Sequence, residues 1–589
     1  MRINLFSQIF ILAFLCACNP MIEEQPNKSP ESETLAQLET EAWEKVLETD
    51  ITFRVKVGLP ITEMPDYSYE KAKTLNIWVK DILQRAMAID RNALDPEEQT
   101  SLDVLIWQLS IQDEAFDFFW FPFLAAPYMA YDLTAAHQTL QMYFFKTKED
   151  TSAYLTLLDK YIAYIDQIHQ RYKDQAERGI HLPRPQIDPI ISMYQTYLKT
   201  PEESLFYVSE FRLDNFDVEF REAYQAEVTK KIKDAINPAY ERFISWLDST
   251  AREQASDDVG LHQYPNGKDY YRHLVRFHST MDVTPEEVHQ MGIGFVQELN
   301  VLIEKAIREL GSTVSRKEFV ETLQKDERFY AKDTKEIGER LMFFVNRLEP
   351  EIDRFFSYKP DTPYGVAPLP ADLEGSMTFG YYHWPTAQNP TGTYLFNGSD
   401  PENTLLLGAE ALIYHELVPG HHFQIGTQVA NTSLSEFRRG SFHGAYVEGW
   451  ANYASDLGLE MGGYRTPHDR LGLYFLDMFM SVRLVVDTGM NYFGWTREQA
   501  MNYMRDNLIE DERQIQTESL RYSVLTPGQA LGYKIGNHAI HEFRKKAEQA
   551  LGDRFDPRQF HSEVLATGSL PLPILEKRID RYISRVKNQ

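Results

Sequence analysis

The stretch Leu412-Ile413-Tyr414-His415-Glu416-Leu417-Val418-Pro419-Gly420-His421-His422 decides how the rest of the chain is read. Ahead of it, Leu405, Ala409, Leu412 and Ile413 recur at helical spacing and form an apolar stripe that carries the chain to His415 and Glu416. Asp400-Pro401-Glu402 predicts where that helix starts, with Asp400 as cap, Pro401 in the first turn, and Glu402 near the positive end of the dipole. Two His residues four apart on one helical face, with Glu beside the first as general base, are a common zinc-peptidase pattern. Here the fourth position after His415 is Pro419. Proline cannot donate the backbone bond expected at that turn and Gly420 loosens the chain, so a kink or bulge is expected, with two extra residues between the ligands. His421 then takes the place of the second histidine. His422 competes, because seven positions return it to nearly the same face, but an unbroken helix would carry it about 10 Å farther along. Spacing favours His421 without settling the choice, and the histidine left over is free to bind substrate or orient a ligand.

A third ligand is needed, and Glu448 is the candidate. It lies in Tyr446-Val447-Glu448-Gly449-Trp450-Ala451-Asn452-Tyr453-Ala454, an otherwise apolar helical stretch where a buried carboxylate requires a cation. A lone histidine on a helix is ordinarily a satisfied core or surface residue. It is the combination of His415-Glu416, the Pro-Gly-His-His run and a later buried Glu that points to metal. His and Glu ligands favour Zn2+.

Composition narrows the classes that remain. The chain has 589 residues, 43% of them hydrophobic and 13% aromatic, which supports a large globular core. Its net charge of −27 argues against a nucleic-acid partner, since phosphate recognition relies on clustered Lys and Arg. The two cysteines are Cys16 and Cys18, so the body has no disulfide, no thiolate nucleophile and no Cys-ligated zinc.

Those cysteines follow Arg2 and the apolar run Ile9 to Leu15, the arrangement of an export signal too short to span a bilayer. Leu15-Cys16-Ala17-Cys18 resembles a bacterial lipobox, and on that reading Cys18 carries the lipid. Residues 1–18 are then the signal peptide and 19–34, with Pro20, Pro26 and Pro30, a flexible tether. The expected location is a membrane-anchored lipoprotein on the periplasmic or cell-surface face, with its membrane contact through the lipid alone. An ordinary cleaved signal is the alternative.

Residues 35–589 are expected to form one mostly α-helical body with two lobes around a deep cleft. Leu102, Leu105, Ile106 and Leu109 recur at helical spacing, as do Tyr154, Leu157, Leu158, Tyr161 and Ile165. So do stretches over 285–310, 335–348 and 497–508, while alternating β-branched runs are scarce. Gly392-Thr393-Tyr394-Leu395-Phe396-Asn397 reads as one short edge strand beside the motif helix, with Tyr394 placed to meet an extended peptide.

His-Glu-x-x-Pro-Gly-His-His followed by Glu-Gly-Trp-Ala resembles the bacterial domain-of-unknown-function 885 family. Tyr270-Tyr271 through His278-Ser279-Thr280 and Thr284-Pro285-Glu286-Glu287-Val288-His289 fit it too. So do Arg521-Tyr522, Pro527-Gly528-Gln529-Ala530-Leu531-Gly532-Tyr533-Lys534-Ile535-Gly536, and the tail from Phe560-His561 to Gly568-Ser569-Leu570-Pro571-Leu572. The resemblance implies a helical, cleft-forming zinc peptidase similar to Taq-type carboxypeptidases, thimet-type oligopeptidases and angiotensin-converting enzyme.

The expected chemistry is hydrolysis of short peptides at zinc held by His415, His421 and Glu448, with Glu416 as base. Tyr522 and Tyr533 supply phenolic hydroxyls of the type an oxyanion needs, and Arg521 and Lys534 are candidates for a substrate carboxylate. Two rivals stand beside this expectation: a non-catalytic peptide-binding lipoprotein, and a metallohydrolase of a non-peptide amide or ester.

Overall fold

A computed structural model describes residues 29–370, 374, 380–385 and 389–589. The signal peptide, Cys18 and the tether before residue 29 lie outside the described residues. Among the described residues helices account for 69% and strands for 3%, so the fold is mostly α. The periodic segments fold as the helices Pro96–Ala115, Lys148–Glu177, Pro285–Glu309, Thr334–Leu348 and Arg497–Asn507. Local chemistry fixes their starts. Thr284 accepts the Glu287 N–H while the Glu287 carboxylate takes the Thr284 N–H, and Pro285 fills the first position, where no N–H is required. No described helix is long and apolar enough to cross a membrane.

Two boundaries differ from the sequence reading. Residues 30–34, read as the end of the tether, are the first turns of the helix Pro30–Thr49, capped by Ser29 and held down by the buried Leu35 and Leu38. The helix leading to His415 begins at Ala409 rather than at Asp400. After Asp400 the chain makes a turn instead, with the Thr404 hydroxyl donating to Asp400 O at 2.7 Å and Asn403 Nδ2 to Asp400 Oδ1 at 2.8 Å. The main chain then pairs elsewhere, Leu406 N–H donating to Phe329 O at 2.7 Å and Ala331 N–H to Pro401 O at 3.3 Å. Such short polar side chains compete with helix, and here they win.

The strands β1 (Tyr364–Pro368), β2 (Gly380–His383) and β3 (Gly392–Phe396) form one sheet in the order β1-β3-β2. β3 runs parallel to β1, with Val366 opposite Tyr394, and antiparallel to β2, with Tyr382 opposite Tyr394. The expected edge strand is therefore the central one. It sits where Gly338 of the Thr334–Leu348 helix brings the backbone close to Phe396 and Val366.

The helices Gly444–Leu457 and Leu531–Leu551 approach so closely that a Cβ at Gly536 would lie 1.7 Å from Ala445 O, and one at Gly449 2.4 Å from the Gly536 carbonyl carbon. Glycine at both positions lets the two backbones touch. Pro285–Glu309 packs on Pro467–Asn491 in the same manner, with Gly292 against Leu484 and Val485. Apolar side chains of the latter pair build a core of their own, which includes Val296, Ile303, Phe479 and Val486.

Candidate metal centre

Glu416 ends its helix, and the break that follows aims the next residues. Leu417 leaves helical geometry at φ −111° and ψ −94°, the Val418–Pro419 bond is cis, and a second helix, His421–Ala430, starts after Gly420. A Cβ at Gly420 would lie 1.8 Å from His415 O, so glycine alone fits this return of the chain over the helix end. Trp450, on the Gly444–Leu457 helix, donates its indole N–H to Pro419 O at 2.9 Å and so ties the break to the helix that carries Glu448.

The result is that His415, His421 and Glu448 converge, with ligand atoms all within 4.8 Å of one another. Glu448 Oε2 lies 3.3 Å from His421 Nε2 and 3.5 Å from His415 Nε2. His415 Nδ1 pairs with Asn452 Oδ1 at 2.9 Å. Because an amide oxygen only accepts, Nδ1 carries the proton and the lone pair of neutral His415 is on Nε2, facing the carboxylate. Glu448 Oε2 is buried and has no hydrogen-bond partner. Acceptors facing one another in a buried site repel unless a cation lies between them, so this donor set fits a metal ion. Burial opposes the charge on Glu448, but positive charge at the positions of His421 and His415 outweighs it and holds the carboxyl well below the usual range, the same demand for a cation.

Glu416 has the opposite balance. Burial pushes its carboxyl up to about 7, with Glu448 adding to the rise and His415 and the backbone N–H of Tyr382 working against it. Tyr382 went unassigned in the sequence, although the run Tyr381-Tyr382-His383 beside a Gly is a visible strand signal. Asn452 was missed as well, although its place four residues after Glu448 puts both on one helical face.

The remaining candidates divide. Tyr533 lies by the ligands, its ring nearly parallel to that of His415 with centroids 6.2 Å apart. Arg521 is beside Tyr533, and donates to Gln529 Oε1 at 2.6 Å. Four other candidates are engaged within the protein. Both nitrogens of His422 are used within the protein, Nδ1 with the Tyr382 hydroxyl at 2.9 Å and Nε2 with Thr362 O at 3.1 Å, so it ties its helix to β2 and to the segment before β1. Tyr394 is 1% exposed on a strand paired on both sides, so it has no edge to offer a peptide. The Tyr522 hydroxyl is fully engaged, accepting from Arg483 Nε at 2.7 Å and donating to Glu518. Lys534 is buried with its ammonium on both oxygens of Asp477, at 2.6 and 2.8 Å, and has no charge to spare for substrate.

Two solved structures share this fold. A protein from Colwellia psychrerythraea, described as a lipoprotein, superposes with a TM-score of 0.84 at 23% identity, covering 94% of this chain and 99% of that one. One from Shewanella oneidensis, described as a lipoprotein of unknown function, does so with a TM-score of 0.72 at 18% identity, covering 92% and 99%. No curated protein matches the sequence. The model of a family described as bacterial protein of unknown function, DUF885, matches residues 52–579, and with nearly the whole folded body inside that match this chain belongs to the DUF885 family.

Proposed function

We propose that this chain is a zinc-dependent hydrolase of peptide bonds in short peptides. The observation that carries the reading is the convergence of His415, His421 and Glu448 within 4.8 Å, with the buried Glu416 next in sequence to one ligand. Bound by these three residues, zinc supplies the Lewis acidity that activates a water and the scissile carbonyl. Glu416 takes the proton of the attacking water and passes it to the departing amine. Its burial beside the ligands places the carboxylate to hold that proton and release it again. Asn452 holds the His415 ring in the tautomer that leaves Nε2 available. Tyr533 offers its hydroxyl to the oxygen on which negative charge develops. The sheet edge suited to an extended peptide is that of β2, whose Tyr382 N–H reaches Glu416.

We place the protein outside the cytoplasm, held to a membrane by lipid on Cys18. The N-terminal signal supports this, and so do two structural relatives described as lipoproteins.

The test is digestion of a mixed peptide library by the purified body, read by mass spectrometry, with bound metal quantified and a Glu416→Gln variant alongside. About one zinc per chain, with cleavage lost in the variant, is the expected result. A zinc-loaded wild type that cleaves no peptide overturns the reading.

A further inference from the structure

Two guanidinium groups beside the candidate metal centre share a single carboxylate. Glu518 Oε2 takes Arg483 Nη2 at 3.2 Å together with the Tyr522 hydroxyl, while Glu518 Oε1 lies 3.4 Å from Arg521 Nη1. Arg483 and Arg521 thus divide one carboxylate in a largely desolvated place, which leaves guanidinium N–H groups of Arg521 to meet a planar anion.

The two arginines are not equally reachable. The side chain of Arg483 is 5% exposed and stacks on Phe479, whereas that of Arg521 is 19% exposed. Gln529 accepts one Arg521 bond on one side. Tyr128, from a distant segment held at a φ of 67°, comes within electrostatic reach of Arg521 and Glu518. Tyr533 links the cluster to the ligands. Its ring lies 4.7 Å beneath the Arg483 guanidinium and parallel to His415, and its hydroxyl is within electrostatic reach of Arg521. Tyr533 thus stands between the arginine pair and the metal ligands, so a carboxylate held by Arg521 would bring the last bonds of a peptide toward those ligands.

We propose that Arg521, framed by Gln529, Tyr533 and Tyr128, receives the free carboxylate of a peptide's last residue, so that this chain removes one or two residues from the carboxyl end. The proposal deepens, and rests on, peptide hydrolysis at the His415–His421–Glu448 site. A planar guanidinium is suited to a carboxylate, which it can meet with two parallel N–H bonds, and an internal peptide segment offers no such partner.

Three synthetic pentapeptides test it: a free acid, the same sequence as its C-terminal amide, and an amide ending in Glu. Binding to the zinc-loaded Glu416→Gln full chain is measured by calorimetry and cleavage by the wild type by mass spectrometry. The free acid is expected to bind at least ten-fold more tightly than either amide, with the difference lost on adding Arg521→Gln and partly kept with Arg521→Lys. Equal binding of acid and amide overturns the proposal. Tight binding of the Glu-ended amide overturns it also, because the site would then read an acidic side chain. If the Arg521 variants fail to fold, the acid-to-amide comparison on the unaltered cluster decides alone. Acid preference without cleavage leaves the Arg521 site standing and removes hydrolysis, whereas equal cleavage of internal bonds in acid and amide does the reverse.

Discussion

His415 Nδ1–H donates to the amide oxygen of Asn452 over 2.9 Å, and Asn452 stands one turn beyond Glu448 on the same helix. A single helix therefore supplies one candidate ligand and the group that orients another. Replacing Asn452 with Leu frees the His415 ring to rotate and change tautomer. Zinc affinity is expected to fall about 10- to 100-fold, as for other lost partners of metal-bound histidine. Competition with a chromophoric chelator measures it, and an unchanged dissociation constant would sink the assignment.

Tyr533 is placed by its ring, which lies parallel to His415 and beneath the Arg483 guanidinium. Tyr533→Phe keeps the ring and removes the hydroxyl. On the proposed mechanism kcat drops roughly 10²- to 10³-fold, the range seen when one oxyanion donor is removed, with zinc content unchanged. A kcat within two-fold of wild type in steady-state assays would leave the ring a packing role only.

Close approach of the Gly444–Leu457 and Leu531–Leu551 helices depends on Gly536, where a Cβ would meet Ala445 O at 1.7 Å. Gly536→Ala must push apart the helices that carry Glu448 and Tyr533. A loss of about 1–3 kcal/mol or more in urea unfolding is expected, with weaker zinc binding. Gly294 is the control, because nothing lies within 4 Å of a Cβ there. Gly294→Ala, inside the Pro285–Glu309 helix, should stabilise by about 0.5–1 kcal/mol.

Asp487 gives the fold a pH dependence of known sign. It accepts bonds from the Tyr271 hydroxyl at 2.7 Å, the Gly528 N–H at 3.0 Å and Asn491 Nδ2 at 3.1 Å, yet burial pushes its carboxyl up to about 7. In the unfolded chain the same group titrates near 4. Between about pH 4 and about 7 the unfolded state has released a proton that the native state keeps, so stability falls as pH rises through that window. Above it the penalty approaches roughly 4 kcal/mol. Asp487→Asn retains an acceptor for these donors and should flatten this part of the profile. Thermal melts at steps of pH across the window test it, and a wild-type profile with no such fall refutes it.

Removing the metal should also be felt in stability. Without a cation, Glu448 Oε2 is buried with no donor to satisfy it. Zinc at a thousand times its dissociation constant should stabilise the folded chain by about 4 kcal/mol, seen as a melting temperature that falls on chelation and returns with zinc. An identical melt in both states would argue against a site that prefers the ion.

Much of the helical framework was legible because its signals are local. Thr284-Pro285-Glu286-Glu287 announces a helix start by capping chemistry, and the structure begins that helix at Pro285. Pro419 and Gly420 announce the break after His415, and it occurs there. The start proposed at Asp400 failed for the same kind of reason on the other side: a good cap was present, but the turn at Asn403 and Thr404 and the pairing with Phe329 were stronger.

The candidate site was legible only in part. His415, Glu416, His421 and Glu448 show themselves through residue type and spacing. Which other side chains stand free to act does not, because that depends on who meets them across the fold. Lys534 meets Asp477, Tyr522 meets Arg483 and Glu518, and His422 meets Tyr382 and Thr362. Arg521 looked no different from Lys534 as a letter in the chain, yet it is the one that shares its acid with a second arginine.

The sequence by itself determined the helical class, the broken helix and the residues able to hold a cation, since caps, apolar periodicity and the backbone limits of proline and glycine act within a few residues. Tertiary structure alone decided that β3 is central, that Asn452 orients His415, and that Arg521 shares Glu518 with Arg483. Those outcomes rest on partners tens or hundreds of residues away, and a buried polar group is defined by the partner it finds rather than by its neighbours along the chain.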